Sequence, residues 1–191
     1  MEEYLKSTDI IDWNQPEVTA KARRLSGKGD RVEIAKTCFE YVRDEVKHID
    51  DYEISTVTCK ASEVLEAGSG ICYAKSHLLA ALLRANGIPA GFCYQRLSRD
   101  DSGPPFCLHG LNGVYLESFG WYRIDARGNK EGVNAQFTPP HEQLAFDIRF
   151  KGEADFLEIW PDPLPVVLIA LEKYKTRESL WENLPDVEIV T

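Results

Sequence analysis

The chain has 191 residues and a net charge of −9, from 22 basic and 31 acidic side chains, with 43% hydrophobic and 28% charged positions. That balance suits a globular fold, excludes the low hydrophobicity of disordered chains, and leaves no basic stripe to hold nucleic-acid phosphate. No apolar run approaches the roughly 20 residues needed to cross a bilayer, so neither a membrane nor a nucleic acid is expected as a partner.

Read in chain order, Pro16 to Leu25 predicts a short helix that starts on proline and stops near Gly27. Asp30 caps a second helix to about Lys47, with Val32, Ala35, Phe39, Val42 and Val46 at helical spacing. Residues 48–60 carry no clear period, Ala61–Leu65 predicts one or two helical turns, and Gly68-Ser69-Gly70 interrupts them. A third helix, from about Cys72 to Asn86, is apolar nearly all round and is closed by Gly87 and Pro89, as expected of a central, buried helix. Beyond Pro89 the pattern predicts strands at Ala90–Leu97, Phe106–Glu117, Trp121–Ala126 and Leu144–Phe150. An irregular Pro-rich crossing follows at Trp160–Pro165, then helices at Val166–Tyr174 and Arg177–Leu184, with Trp181 and Leu184 docking the last one. Helices first and strands second predict an α+β fold, a central helix on an antiparallel sheet. One domain over residues 1–191 is expected, with a core at about 30–130 and an extension at about 150–191 that finishes the core, shapes the cleft or mediates a dimer.

The five cysteines are scattered, with no C-x-x-C pair, and the four histidines form no H-E-x-x-H pattern, so no metal and no cofactor are expected. The acidic start Met1-Glu2-Glu3-Tyr4 lacks the apolar segment of a secretory leader, which makes the cytoplasm the expected compartment.

The chemically informative stretch is Gly68-Ser69-Gly70-Ile71-Cys72. Glycines lead directly into the buried helix and place Cys72 in its first turn. Helix-start N–H groups lack internal partners and carry the positive end of the macrodipole, so a thiolate, the nucleophilic form, is stabilised there. The same groups can receive an oxyanion during acyl transfer. A small buried cysteine with no chemistry fits the position too, and both readings stay open. His77 lies five residues on, about 140° round the helix and ~7.5 Å along it, so it diverges from Cys72 as a structural or surface residue. His109, on the strand after the loop at residues 100–105, is the candidate base, and Asp125, sixteen residues later, can accept the other ring N–H. A turn at Ser118–Phe119 sets Asp125 opposite Asn112, so this pairing requires a bulge, for which Gly110 and Gly113 are the sites, or a shifted register.

Ala61–Leu65, Gly68–Lys75 and Leu78–Ala90, followed by His109…Tyr115 and Gly120…Asp125, resemble the transglutaminase-like superfamily over about residues 30–130. Small bacterial stand-alone members, often described as candidate cysteine proteases, are the nearest in pattern. The resemblance implies a papain-like core with Cys72 as nucleophile, His109 as base and acid, and Asp125 as orienter. It implies acyl transfer on a protein or peptide amide through a thioester, ending in hydrolysis, deamidation or transamidation. The alternative is a non-catalytic peptide-binding module on the same fold. A second oxyanion donor is expected from outside the helix, with Tyr52 as the candidate. Tyr73 is expected to line the cleft or pack the core, and Asn129 and Arg127 to buttress Asp125 or touch substrate. The chain departs from the family at Gly110 and Leu111, where an aromatic residue is common after the histidine, and it lacks the calcium pattern and the cysteine-pair zinc site of some branches.

Overall fold

The computed structural model describes residues 1–188. A 3-10 turn at Glu2–Leu5 precedes helices α1 (Pro16–Ser26) and α2 (Arg31–Glu45). Asp30 starts α2 by accepting from the Val32 and Glu33 N–H groups, while Glu33 returns a carboxylate to the Asp30 N–H at 3.0 Å. This reciprocal cap satisfies donors that the helix itself cannot.

Two-residue strands β1 (Lys47–His48) and β2 (Ser69–Gly70) pair in parallel on either side of α3 (Ala61–Ala67). Gly68 ends α3 in the left-handed conformation (φ 63°), its N–H returning to the Val64 carbonyl at 2.9 Å. Only glycine adopts that conformation without strain, and the turn sends the chain straight into β2. Gly70 allows a close approach. A Cβ there would stand 3.1 Å from the Ala74 Cβ, so the missing side chain lets β2 lie against the first turn of the next helix.

That helix, α4 (Cys72–Ala85), is the spine of the molecule, with every residue from Cys72 to Arg84 buried. It packs against α1, α2 and α3 and against strands β3 (Ala90–Ser98) and β4 (Phe106–Leu116). Its apolar residues enter one continuous core, and its buried polar residues are tied to backbone carbonyls. β3, β4, β5 (Gly120–Ile124) and β6 (Ala154–Asp155) form an antiparallel sheet in the order β5-β4-β3-β6. The architecture is therefore a mixed fold of the expected class, a central helix on an antiparallel sheet.

Three expectations are corrected. Residues 144–150 form no strand; they run as irregular chain, and the fourth strand is instead the short β6. The strand expected to reach Ala126 ends at Ile124. The register is the shifted one and holds no bulge: β4 pairs without a break with β3 and with β5, and Asn112 faces Ile124 in place of Asp125. Asp125 needs none. It lies just past the end of β5, where the chain leaves the ladder and its side chain is free of strand alternation.

The tail closes the fold. Helices α5 (Pro165–Lys173) and α6 (Arg177–Glu182) contribute Val167, Ala170, Leu171 and Leu180 to the same core. The chain after α6 then runs beside β4, where the Leu108 N–H donates to the Pro185 carbonyl at 2.8 Å and Arg96 grips Asp186 through two nitrogens at 2.6 and 2.7 Å.

Candidate active site

Cys72 is the first residue of α4 and is 7% exposed, opening onto a cavity of about 260 Å³. His109, on β4, borders the same cavity. Its Nε2–H donates to Asp125 Oδ2 at 2.8 Å, which leaves Nδ1 as the ring nitrogen for the sulfur. Asp125 is fully enclosed and also accepts the Arg127 N–H on Oδ1 and the Ala145 N–H on Oδ2, both at 3.1 Å. A carboxylate held by two backbone donors and an imidazole has one orientation available to it.

The electrostatics follow from this enclosure. Burial disfavours a charged His109, but the charge and hydrogen bond of Asp125, joined by those of Cys72, outweigh it and push the ring up to about 10. Burial likewise opposes an ionised Asp125, yet His109 and the two backbone donors hold its carboxyl below the usual range. Burial pushes Cys38, Cys59, Cys93 and Cys107 each up to about 12, so they stay as thiols at neutral pH.

The surroundings fix these groups in place. Lys75, one turn into α4 and buried, donates to the carbonyls of Val46 (2.5 Å), Arg127 (2.9 Å) and Arg43 (3.4 Å). It thereby joins the end of α2 and the loop after Asp125 to the helix that begins at Cys72; burial pushes it down to about 7. The Arg127 guanidinium and Lys130 both grip Asp51, and these bonds override burial and carry Asp51 down to about 2. The loop after β1 is in this way tied to the loop after β5. Phe146, from the irregular segment, sets its ring edge-on to His109 at 5.0 Å. Leu97, Leu108, Trp181 and Leu184 line the cavity with it, so the tail contributes to the wall as well as to the core.

The Tyr73 hydroxyl donates to the Leu108 carbonyl, and its ring is fully buried against Gly110, where a Cβ would stand 2.8 Å from Tyr73 Cδ1. The glycine after His109 thus makes room for the tyrosine after Cys72. Gly110→Ala is expected to lower stability by about 1–3 kcal/mol, read as a fall in the urea midpoint at unchanged slope, because the tyrosine must leave its place.

Other residues singled out in the sequence lie elsewhere. Tyr52 is 59% exposed, with Lys47 over its ring, and stands outside the cavity, so it cannot serve as the oxyanion donor expected of it. Asn129 is a staple within its own loop, accepting from the Ala135 N–H at 2.8 Å and donating to the Ala135 carbonyl at 3.2 Å. His77 is buried rather than superficial; its Nδ1 donates to the Cys59 carbonyl at 2.7 Å and burial pushes it down to about 4. His48, on β1, is a cavity-lining residue that sequence reasoning missed, since a single histidine in a stretch without period gives no signal.

Among the described residues no three His, Cys, Asp or Glu side chains gather as a metal site, and no helix is long and apolar enough to cross a membrane. The sequence pattern of the transglutaminase-like superfamily matches residues 19–126, more than half of the chain. No curated protein matches it. Among solved structures the fold is similar to a candidate cysteine protease from Cytophaga hutchinsonii, at 19% identity and a TM-score of 0.52 over 65% of this chain and 40% of that one. It also aligns with the periplasmic domain of TgpA from Pseudomonas aeruginosa, at 17% identity and a TM-score of 0.47 over 64% of this chain and 45% of that one. The aligned part is thus less than half the length of either protein.

Proposed function

The chain belongs to the transglutaminase-like superfamily, and from that premise we propose that it catalyses acyl transfer from a protein or peptide amide through a thioester on Cys72. One observation carries the reading: Cys72 and His109 open onto one cavity, with the far nitrogen of His109 bonded to an enclosed carboxylate at 2.8 Å. Placement of a thiol, an imidazole and an orienting carboxylate in that order is what nucleophilic catalysis by cysteine needs.

In the proposed reaction Cys72 Sγ attacks the amide carbonyl carbon, and the electron pair moves to the carbonyl oxygen, facing the free N–H groups at the start of α4. As the tetrahedral species collapses, the C–N bond breaks and His109 gives its proton to the leaving amine or ammonia. The resulting thioester is then attacked by water or by an amine, which His109 deprotonates, and the C–S bond breaks so that its electron pair returns to Cys72 Sγ and the acid or new amide is released. Asp125 keeps the ring in the useful tautomer and stabilises its charged form. Five free thiols suit a reducing compartment, and the cytoplasm is the location we favour.

The test is a panel of glutamine amides and peptides offered with and without a primary amine, monitored for ammonia release, peptide cleavage and amine incorporation. The expected result is one of these products, formed by wild type and lost in Cys72→Ala. Equal rates in the two proteins overturn the reading, and binding without turnover supports a peptide-binding module in its place.

A further inference from the structure

We infer that His48 is the second oxyanion donor of this site, acting together with the N–H groups at the start of α4; this rests on the acyl-transfer reading above. Backbone pairing sets its place. His48 on β1 stands beside Gly70 on β2, two residues before Cys72, and its side chain borders the same cavity as Cys72 and His109. The ring is 5% exposed, and its Nδ1 is buried without a hydrogen-bond partner among the described residues. The nearby Asp50 carboxylate, at 3.9 Å, is beyond hydrogen-bond reach. With Nδ1 enclosed, Nε2 is the nitrogen left to face the cavity, and no protein group bonds it among the described residues; a buried imidazole in this state calls for an explanation.

Five other donors at the cavity already have partners. Arg127 and Lys130 are bound to Asp51, Arg149 to Asp101, Arg99 to the Trp181 carbonyl, and the Tyr73 hydroxyl to the Leu108 carbonyl. The Trp181 indole also borders the cavity, with no partner for its N–H among the described residues, but Trp181 is 41% exposed, and His48 is the enclosed ring with a proton to offer. Burial, reinforced by Arg127, holds the ring neutral, so it presents one N–H without adding a cation beside His109. The Asp51 grip on Arg127 and Lys130 fixes the loop that follows His48, which supplies the preorganisation that an oxyanion donor requires.

The probe is 4-nitrophenyl acetate. Its acylation of Cys72 forms the Sγ–C bond, passes through a carbonyl oxyanion, and breaks the C–O bond so that the electron pair leaves on 4-nitrophenolate. Iodoacetamide alkylates the same sulfur by displacing iodide and forms no oxyanion. His48→Leu should acylate about 100-fold or more slowly than wild type, with His48→Gln, which keeps an N–H donor, recovering part of the rate. Alkylation by iodoacetamide should change by less than about twofold in both. Acylation of His48→Leu at the wild-type rate overturns the inference, as does an equal slowing of acylation and alkylation, which places the effect on the sulfur itself. Should the variants not fold, wild type treated with a peptide aldehyde answers the question. A shifted imidazole N–H resonance of His48 on hemithioacetal formation supports the assignment, and an unchanged one overturns it. Failure of the underlying reading looks different: wild type then releases nitrophenolate no faster than Cys72→Ala.

Discussion

Cys72→Ala is expected to leave a folded protein whose acyl-transfer rate is lower by about 10⁴- to 10⁶-fold, the scale seen when a nucleophile is removed from a compact site. Structural cost is small. The residue loses one sulfur atom at the mouth of a cavity, and α4 keeps the rest of its buried face and its ties through Lys75, Ser76 and Arg84. A stability change within about 1 kcal/mol is expected in urea unfolding, so lost activity reports chemistry and not collapse. Labelling sharpens the result. Cys38, Cys59, Cys93 and Cys107 are each pushed by burial up to about 12, so at pH 7.5 fewer than about one in 10⁴ of each is thiolate. Brief treatment with iodoacetamide followed by peptide mapping should therefore mark Cys72 in wild type and leave Cys72→Ala unmodified. If Cys59 or Cys93 is alkylated first while Cys72 stays inert, the nucleophile assignment fails.

The parts of this site visible in the sequence are those set by short-range chemistry. Glycines before a long apolar helix place Cys72 at its start whatever the remainder of the fold does, and the apolar composition of α4 already marks it as buried. The relation of His109 to Asp125 is visible as an order and a spacing, but its geometry is not. Counting along a hairpin puts Asp125 opposite Asn112, whereas the ladder is shifted by one residue, with Ile124 opposite Asn112, and β5 then stops and releases Asp125, so the two side chains meet without any bulge. Where a strand ends is decided by what the chain does next, in this case the Arg127 turn held by Lys75 and Asp51, contacts that span many residues. The segment at 144–150 illustrates the same limit. Its apolar residues suggest a strand, yet tertiary contacts use it as irregular chain that gives the Ala145 N–H to Asp125 and the Phe146 ring to His109. His48 and Tyr52 are indistinguishable in a stretch without period, and only the parallel pairing of β1 with β2 brings one into the cavity and leaves the other in solvent.

Asp125→Asn tests the electrostatic half of the site, and its expected effects are a rate loss of about 10²- to 10⁴-fold and a changed pH profile. The amide still fits the space and can accept the His109 N–H, but it carries no charge. Burial, the largest influence on the ring, is then opposed mainly by Cys72, so protonation of His109 should fall by more than about one pH unit from about 10. Titration of the His109 Cε1–H resonance reads this directly. Stability should follow with a definite sign. A histidine raised in the folded state from an ordinary value near 6.5 to about 10 contributes stability that is whole below about pH 6.5 and is lost as pH rises through 10, at up to about 1.4 kcal/mol per unit. Lys75, pushed by burial down to about 7, adds the opposite slope in nearly the same window, because the unfolded chain holds its proton longer. The wild-type curve between pH 7 and 10 therefore sums two opposed terms, and the informative quantity is the difference between the proteins. Asp125→Asn should be the less stable protein at pH 6.5, with the gap narrowing between the variant's own His109 value and pH 10. A gap that stays constant over that interval means that His109 and Asp125 are not paired as ions in the folded protein, and the carboxylate would then orient the ring by its shape and hydrogen bond without its charge.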